Sequence, residues 1–225
     1  MPIVSEELTC SRREEIIAAC RRLYETMRYQ EISLKDIARE TSMSRPSLYN
    51  YFETKDEIFL ALLQQEYETL TAELEDLAGQ EGPLSVPALA EGVARALERR
   101  QLLLRLLSKD LLEMEDRSRP ERLTEFKRAY GAWIRALERC LQKALPELDG
   151  KRREAFLCAF LPFVYGLYPY TAVTPMQRAA MDSAGAYYPR LTSYEMARAC
   201  ILQLLGKEDA AQDAPQTNTS EEENT

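Results

Sequence analysis

The chain has 225 residues, 45% of them apolar and 29% charged, which fits a soluble globular protein of one or two domains with a real core. It contains no histidine, which excludes histidine-based triads and histidine metal sites, and its net charge of −8 offers no bulk-charge argument for nucleic-acid binding. The five cysteines (Cys10, Cys20, Cys140, Cys158, Cys200) are widely spaced and odd in number, a pattern for reduced structural thiols rather than for a zinc site or a disulfide framework.

Helical periodicity runs through almost the whole chain. The first predicted helix covers 11–27, with Ile16, Ile17, Cys20, Leu23, Tyr24 and Met27 on one face, and with Ser11 as N-cap and Glu14 completing a capping box. Residues 1–10 are expected to form an arm. The second helix opens at Ser33 and Asp36 and runs to Glu40, where Thr41-Ser42 breaks it. The third starts at Ser44, carries Pro46 in its first turn and ends near Phe52. Thr54 caps a fourth helix of roughly 25 residues that reaches Ala78, with Asp56 and Glu57 placed favourably in its first turn.

After a loop marked by Gly79, Gly82 and Pro83, one helix or a pair covers 86–114, and EDRSRPE at 115–121 interrupts it. Pro120 starts a long helix to Leu145, and a strongly apolar one follows at 151–168. Residues 169–191 are expected to be irregular apart from a short helix at 176–183. A last helix covers 193–205 and stops at Gly206. The fold class is therefore all-α with about nine helices. The tail 207–225 sets six acidic side chains against Lys207 and is expected to be disordered. The apolar stretch beginning at Phe156 is interrupted by Pro162 and is less uniform than a membrane span, and the N-terminus lacks the pattern of a signal peptide. A cytoplasmic location with no membrane partner, no cofactor and no metal is the resulting expectation.

Residues 33–52, SLKDIARETSMSRPSLYNYF, hold the constellation that carries function. Two short helices crossing through a tight turn need apolar groups at the crossing, a small residue where the backbones approach, and a polar turn between them. Leu34, Ile37, Met43, Leu48 and Tyr51 or Phe52 supply the first, Ala38 the second and Thr41-Ser42 the third. This is the helix-turn-helix pattern, and it leaves Arg45, Ser47, Tyr49 and Asn50 on the outward face of the second helix. Arginine forks onto guanine, asparagine onto adenine, and serine and tyrosine hydroxyls meet phosphates. Residues 9–56 hold nine basic against eight acidic side chains, so the inference rests on the motif and not on charge.

The run SRPSLYNYFETKDEIFLALL, with Asp36-Ile37-Ala38-Arg39-Glu40 upstream, resembles the signature of the TetR family of bacterial repressors over residues 11–65. The resemblance implies an N-terminal three-helix DNA-binding domain (11–56) joined through a long helix 4 to a helical effector-binding and dimerisation domain (57–206). It implies that Ser33 caps helix 2 and touches a phosphate, that Arg45, Pro46 and Ser47 enter the major groove, that Tyr49 and Tyr51 contact the backbone, and that Lys55 contacts a phosphate. Tyr51 equally fits a packing role. Two positions depart from the family, Ser42 in the turn and Arg28 in the link between helices 1 and 2, where glycine is usual.

The resemblance further implies a homodimer built on the helices at 151–168 and 193–206, a double-stranded operator as partner and a small apolar or aromatic effector. Candidate dimer residues are Phe156, Phe160, Phe163, Leu167, Met196, Cys200 and Gln203, although burial within the monomer explains them as well. Candidate pocket residues are Tyr67, Leu103, Leu107, Phe126, Tyr130, Trp133 and Tyr165, which fit an ordinary core equally. The expected function is a repressor released from a palindromic operator by a small molecule. The alternative is a helical ligand-binding or interaction module that does not use DNA. An enzyme is not expected, because neither a Gly-rich phosphate loop nor a close cysteine pair is present.

Overall fold

The computed structural model describes residues 6–188 and 190–206, so the acidic tail and the first part of the expected arm lie outside the described residues. Eleven α-helices and no strand occur among the described residues. The head consists of α1 (Glu6–Thr26), α2 (Leu34–Arg39), α3 (Arg45–Leu48) and the first turns of α4 (Lys55–Gly79). The body adds α5 (Val86–Glu98), α6 (Gln101–Lys109), α7 (Leu111–Asp116), α8 (Pro120–Ala144), α9 (Gly150–Thr171), α10 (Pro175–Ala184) and α11 (Ser193–Leu204).

α1 starts five residues before the expected cap, so Ser11 sits inside the helix. Its apolar face is as read: Ile16, Ile17, Cys20 and Tyr24 are buried. In the head core, Phe59 of α4 meets Tyr24 and Tyr29 in edge-to-face geometry, with ring centroids 5.3 and 4.9 Å away. Edge-to-face contacts of this kind match the positive ring edge to the negative ring face. α4 continues as one unbroken helix of about 37 Å at 1.5 Å per residue. It packs along α8 in the body, while α5 packs on α11 and α6 on α9. Gly92 permits the approach of α5 to α4, since a Cβ there would meet Leu77 Cδ2 at 2.6 Å.

The segment read as one or two helices at 86–114 is three. The breaks fall at Arg99–Arg100 and at Asp110, both with non-helical backbone at Arg100 (ψ 52°) and Asp110 (φ −126°). Long-range polar bonds hold each break. The buried Arg100 guanidinium donates to Glu73 Oε1 at 2.8 Å, and Asp110 accepts from Tyr24 Oη at 3.5 Å and from Gln30 Nε2 at 3.3 Å. α9 holds Pro162 within its expected span and extends past its expected end through Pro169 to Thr171. α10 is the short helix expected at 176–183, one residue longer at each end, held by a capping box at Thr174 and closed by left-handed Gly185 at φ +60°. No residue of α10 is buried. The last helix ends where expected, at left-handed Gly206. No single helix among the described residues is long and apolar enough to cross a membrane.

Candidate nucleic-acid interface

Each helix of the motif is started by its own side-chain cap. Ser33 Oγ accepts from the Asp36 N–H at 3.3 Å, and the Asp36 carboxylate accepts from the Ser33 N–H at 3.1 Å. The Ser33 hydroxyl, which donates to the Asp36 carboxylate at 2.5 Å, and then the Ser33 N–H hold the Asp36 carboxyl below the usual range. Ser44 Oγ accepts from the Ser47 N–H at 3.4 Å, and the two hydroxyls lie 2.9 Å apart. Thr54 Oγ1 accepts from the Glu57 N–H at 3.2 Å. Ile37, Leu48 and Phe52 are fully buried at the crossing, with Ala38 between them, which is the register the sequence demands. α3 is shorter than the expected 44–52, with residues 49–51 forming turns rather than helix.

The outer face of this unit presents Arg45, Pro46, Tyr49 and Asn50 to solvent, with Ser47 half-buried beside them. Arg45 Nη2 donates to Tyr49 Oη at 3.2 Å, and its guanidinium carbon lies 5.9 Å from the Tyr49 ring. The pair holds a fork-shaped donor and an aromatic hydroxyl together on one exposed surface. Ser33 is exposed at the edge of the same region. Tyr51 is half-buried and packs on the core, so its ring is at least partly structural. Lys55 is the outlier of the set. Its ammonium donates to the carbonyls of Tyr29 (2.6 Å) and Ile32 (3.1 Å) and sits 4.2 Å from the Tyr29 ring. Two of its three N–H groups are thus committed to the link between α1 and α2, and burial lowers its pKa.

The turn is organised by residues that local patterning does not single out. No non-glycine residue among those described has positive φ, so the serine at 42 does not occupy a left-handed backbone. Instead the Ser42 N–H and Oγ donate to the two carboxylate oxygens of Glu15 at 2.5 and 3.1 Å, and Arg12 Nη1 donates to Ser42 Oγ at 2.5 Å. Arg28 likewise has an ordinary extended backbone (φ −81°, ψ 152°). Replacing Ser42 with glycine is therefore expected to destabilise the head by about 1 kcal/mol, from lost side-chain bonds and added unfolded-state entropy, readable as a lower urea midpoint. An unchanged or higher midpoint would show that the family's glycine fits this turn better.

The head is fastened to the body by an ion pair whose carboxylate is buried and whose guanidinium is part exposed. The Glu57 carboxylate is fully buried and accepts from Arg119 Nε at 2.6 Å, Arg119 Nη2 at 2.8 Å, the Arg119 N–H at 3.2 Å and the Glu53 N–H at 2.9 Å. Burial alone would push this carboxyl up, but the four donors outweigh it and hold it below the usual range.

The body residues singled out by sequence are brought together in part. Tyr67 meets Phe126, Tyr130 and Trp133 at centroid distances of 5.9, 5.6 and 5.3 Å. Leu103 and Leu107 are buried on α6, and Tyr165 on α9 is half-buried, its hydroxyl pushed up to about 12 by burial. Among the described residues Trp133 Nε1 is buried without a hydrogen-bond partner, while the buried Tyr67 hydroxyl faces that of Tyr165. Among the dimer candidates, Phe156, Phe160 and Leu167 are at most 2% exposed and face the protomer's own core, which corrects their assignment to an outer surface. The helix is apolar on more than one side, and the packing of α6 decides which side turns in. Phe163, Met196 and Cys200 stay half-buried and Gln203 exposed.

A capped helix pair with an exposed reading face, standing on a long helix shared with an all-helical body, is the architecture of a helix-turn-helix regulator. Residues 16–62 match the family described as bacterial regulatory proteins, tetR family, and residues 64–206 match the tetracyclin repressor-like C-terminal domain. The chain belongs to the TetR family, a family of regulators rather than of enzymes. It is 30% identical over 86 residues to the HTH-type transcriptional repressor Rv1474c of Mycobacterium tuberculosis, covering 38% of this chain and 44% of that protein. It is 40% identical over 52 residues to the HTH-type transcriptional regulator EthR of Mycolicibacterium smegmatis, covering 23% of this chain and 24% of that one. Each match thus spans less than half of the relative's length.

Among solved structures, a regulator of the TetR/AcrR family from Thermobifida fusca superposes with a TM-score of 0.58 at 20% identity, covering 88% of this chain and 100% of that one. PfmR from Thermus thermophilus gives 0.56 at 19% identity, covering 86% and 98%. At these identities the likeness is one of fold.

Proposed function

We propose that the protein is a homodimeric transcriptional repressor that reads a palindromic operator through Arg45, Ser47, Tyr49 and Asn50, and that works in the cytoplasm where that DNA lies. The observation that carries this reading is the exposed Arg45–Tyr49 pair, held at 3.2 Å beside Asn50 on a helix whose cap is intact. Ser33 and the remaining Lys55 N–H serve the phosphates on either side. One such head spans few base pairs, so useful affinity needs two, spaced by a symmetric dimer. The half-buried Leu157, Leu161 and Phe163 of α9 and Met196 and Cys200 of α11, with exposed Gln203 and Leu204, supply an apolar face for the partner copy.

The effector enters the aromatic cluster around Tyr67 and Trp133. The buried indole N–H of Trp133, without a partner among the described residues, favours a guest that brings a hydrogen-bond acceptor into an otherwise apolar site. Such a guest must bind the DNA-free arrangement better than the DNA-bound one, and α4 is the lever that relays the difference. The reading is tested with a fragment from upstream of the protein's own gene, titrated at several salt concentrations. A footprint with two-fold symmetry and a steep loss of affinity with salt are expected. Binding that is shallow in salt and without a symmetric footprint would favour the interaction-module alternative.

A further inference from the structure

A cavity of about 440 Å³ opens at the joint between head and body, away from the recognition face and from the Tyr67–Trp133 cluster. The head lines it with Tyr24, Arg28 and Gln30, and the body with Arg105, Lys109 and Tyr168. Its volume falls within the roughly 300–1,000 Å³ of small-molecule sites.

Charge sets its chemistry. Arg28, Arg105 and Lys109 face one carboxylate in the lining, that of Asp110. Asp110 is 6% exposed and already accepts from Tyr24 and Gln30. Arg105 is also engaged: it donates to the carbonyls of Tyr24 (2.9 Å) and Met27 (3.2 Å), closing the end of α1, and lies 4.0 Å from the Tyr24 ring. Arg28 and Lys109 differ. Both are exposed, and among the described residues neither forms an ion pair. The Lys109 ammonium lies 5.6 Å from the ring of Tyr168. Lys109 also feels the neighbouring Asp110 carboxylate, but three cations against one carboxylate leave the lining net positive, with Arg28 from the head, Lys109 from the body and the half-buried Tyr168 ring at the same cavity.

We propose that this cavity binds a small organic anion, a flat aromatic body bearing a carboxylate or phosphate, gripped by Arg28 from the head and Lys109 from the body. A guanidinium forks onto the planar oxygens, an ammonium adds a point charge, and the ring packs against Tyr168. A neutral guest leaves the net positive lining unanswered and gains little. Because the two cations belong to different parts of the molecule, an occupant is a bridge. It fixes the angle of the head on the body, and through the proposed dimer the spacing of the two reading faces. The coupling to DNA rests on the function proposed above, whereas the binding site itself does not.

The test is isothermal titration calorimetry on the full chain with benzoate, phenyl phosphate and neutral benzamide. The two anions are expected to bind and benzamide to give no heat. Arg28→Gln and Lys109→Gln, both at exposed positions outside the core, are each expected to weaken anion binding about tenfold. Silence with both anions, equal binding of benzamide, or binding indifferent to both substitutions overturns the site. Saturating anion is then expected to shift affinity for the upstream DNA fragment in the parent protein but not in Arg28→Gln. No shift in the parent overturns the bridge. A protein that binds the anion and no DNA at all contradicts the proposed function and leaves the site standing.

Discussion

Replacing Arg45 and Tyr49 together with alanine is expected to reduce operator affinity to the level of non-specific DNA, while far-UV circular dichroism and the thermal midpoint stay at their parent values. Both side chains are exposed and neither contributes to the core, so the fold has little to lose. A base-reading arginine is worth about 1–3 kcal/mol, and its loss relaxes discrimination at one position of the site. Because the Arg45 guanidinium donates to Tyr49 Oη at 3.2 Å, the two act as a unit. The single substitutions are therefore expected to lose more than half of the double mutant's effect each, so that the cycle does not add. Fluorescence anisotropy at fixed salt measures all three. Full affinity in the double mutant would falsify the assignment of the reading face, and strictly additive losses would sink the coupled-pair argument.

The second large effect concerns the fastening of head to body. Arg119→Ala is expected to destabilise the protein by about 3 kcal/mol, the low end for such losses because Arg119 itself is part exposed, since removing it strands a buried charge. The stranded group is the fully buried Glu57 carboxylate, left with only its backbone donors. At this chain length the thermal midpoint falls by roughly 6–12 °C. The pH dependence has a definite sign. In the parent the Glu57 carboxyl is held below its unfolded value, so its contribution is present above about pH 4.3 and fades as pH falls through the folded value. Without Arg119, burial prevails and the folded carboxyl rises, so acidification relieves the variant. The stability gap between parent and variant is therefore widest near neutrality and narrows toward pH 4. Glu57→Gln is expected to be milder than Arg119→Ala, because Arg119 is 37% exposed and water can take over its solvation. Urea midpoints from pH 4 to 8 decide the matter, and a gap that widens on acidification refutes the argument.

What could be read from the sequence was what is governed locally. Ser33, Ser44 and Thr54 cap their helices as expected because capping needs only an oxygen and an N–H three residues apart. The buried register Ile37, Ala38, Leu48 and Phe52 was equally legible from spacing. Apart from helix ends such as Ser11 inside α1 and the early stop of α3, the misses depend on partners distant in sequence. Nothing near Asp110 announces that Tyr24, 86 residues earlier, will donate to it and hold the break between α6 and α7. Nothing near Ser42 announces Glu15, whose carboxylate replaces the glycine the family uses there. Periodicity could not choose the inward side of α9, since Phe156 and Phe160 compete with Leu157 and Leu161 for the same role. Lys55 was legible as a residue at the head of a helix, but the direction of its ammonium depends on the carbonyls of Tyr29 and Ile32.

α4 divides its side chains between two cores without a break in its backbone. Phe59 lies under Tyr24 and Tyr29, and Tyr67, two turns on, lies among Phe126, Tyr130 and Trp133. A fragment ending at residue 56 would keep the reading face and lose the ring on which its own aromatic pair rests, so the recognition unit is not a detachable module. The two cores are expected to melt as one cooperative unit, with amide protons near Ile16 and near Leu137 exchanging at similar slow rates. A guest that stabilises one core then slows exchange in the other, without either core changing shape.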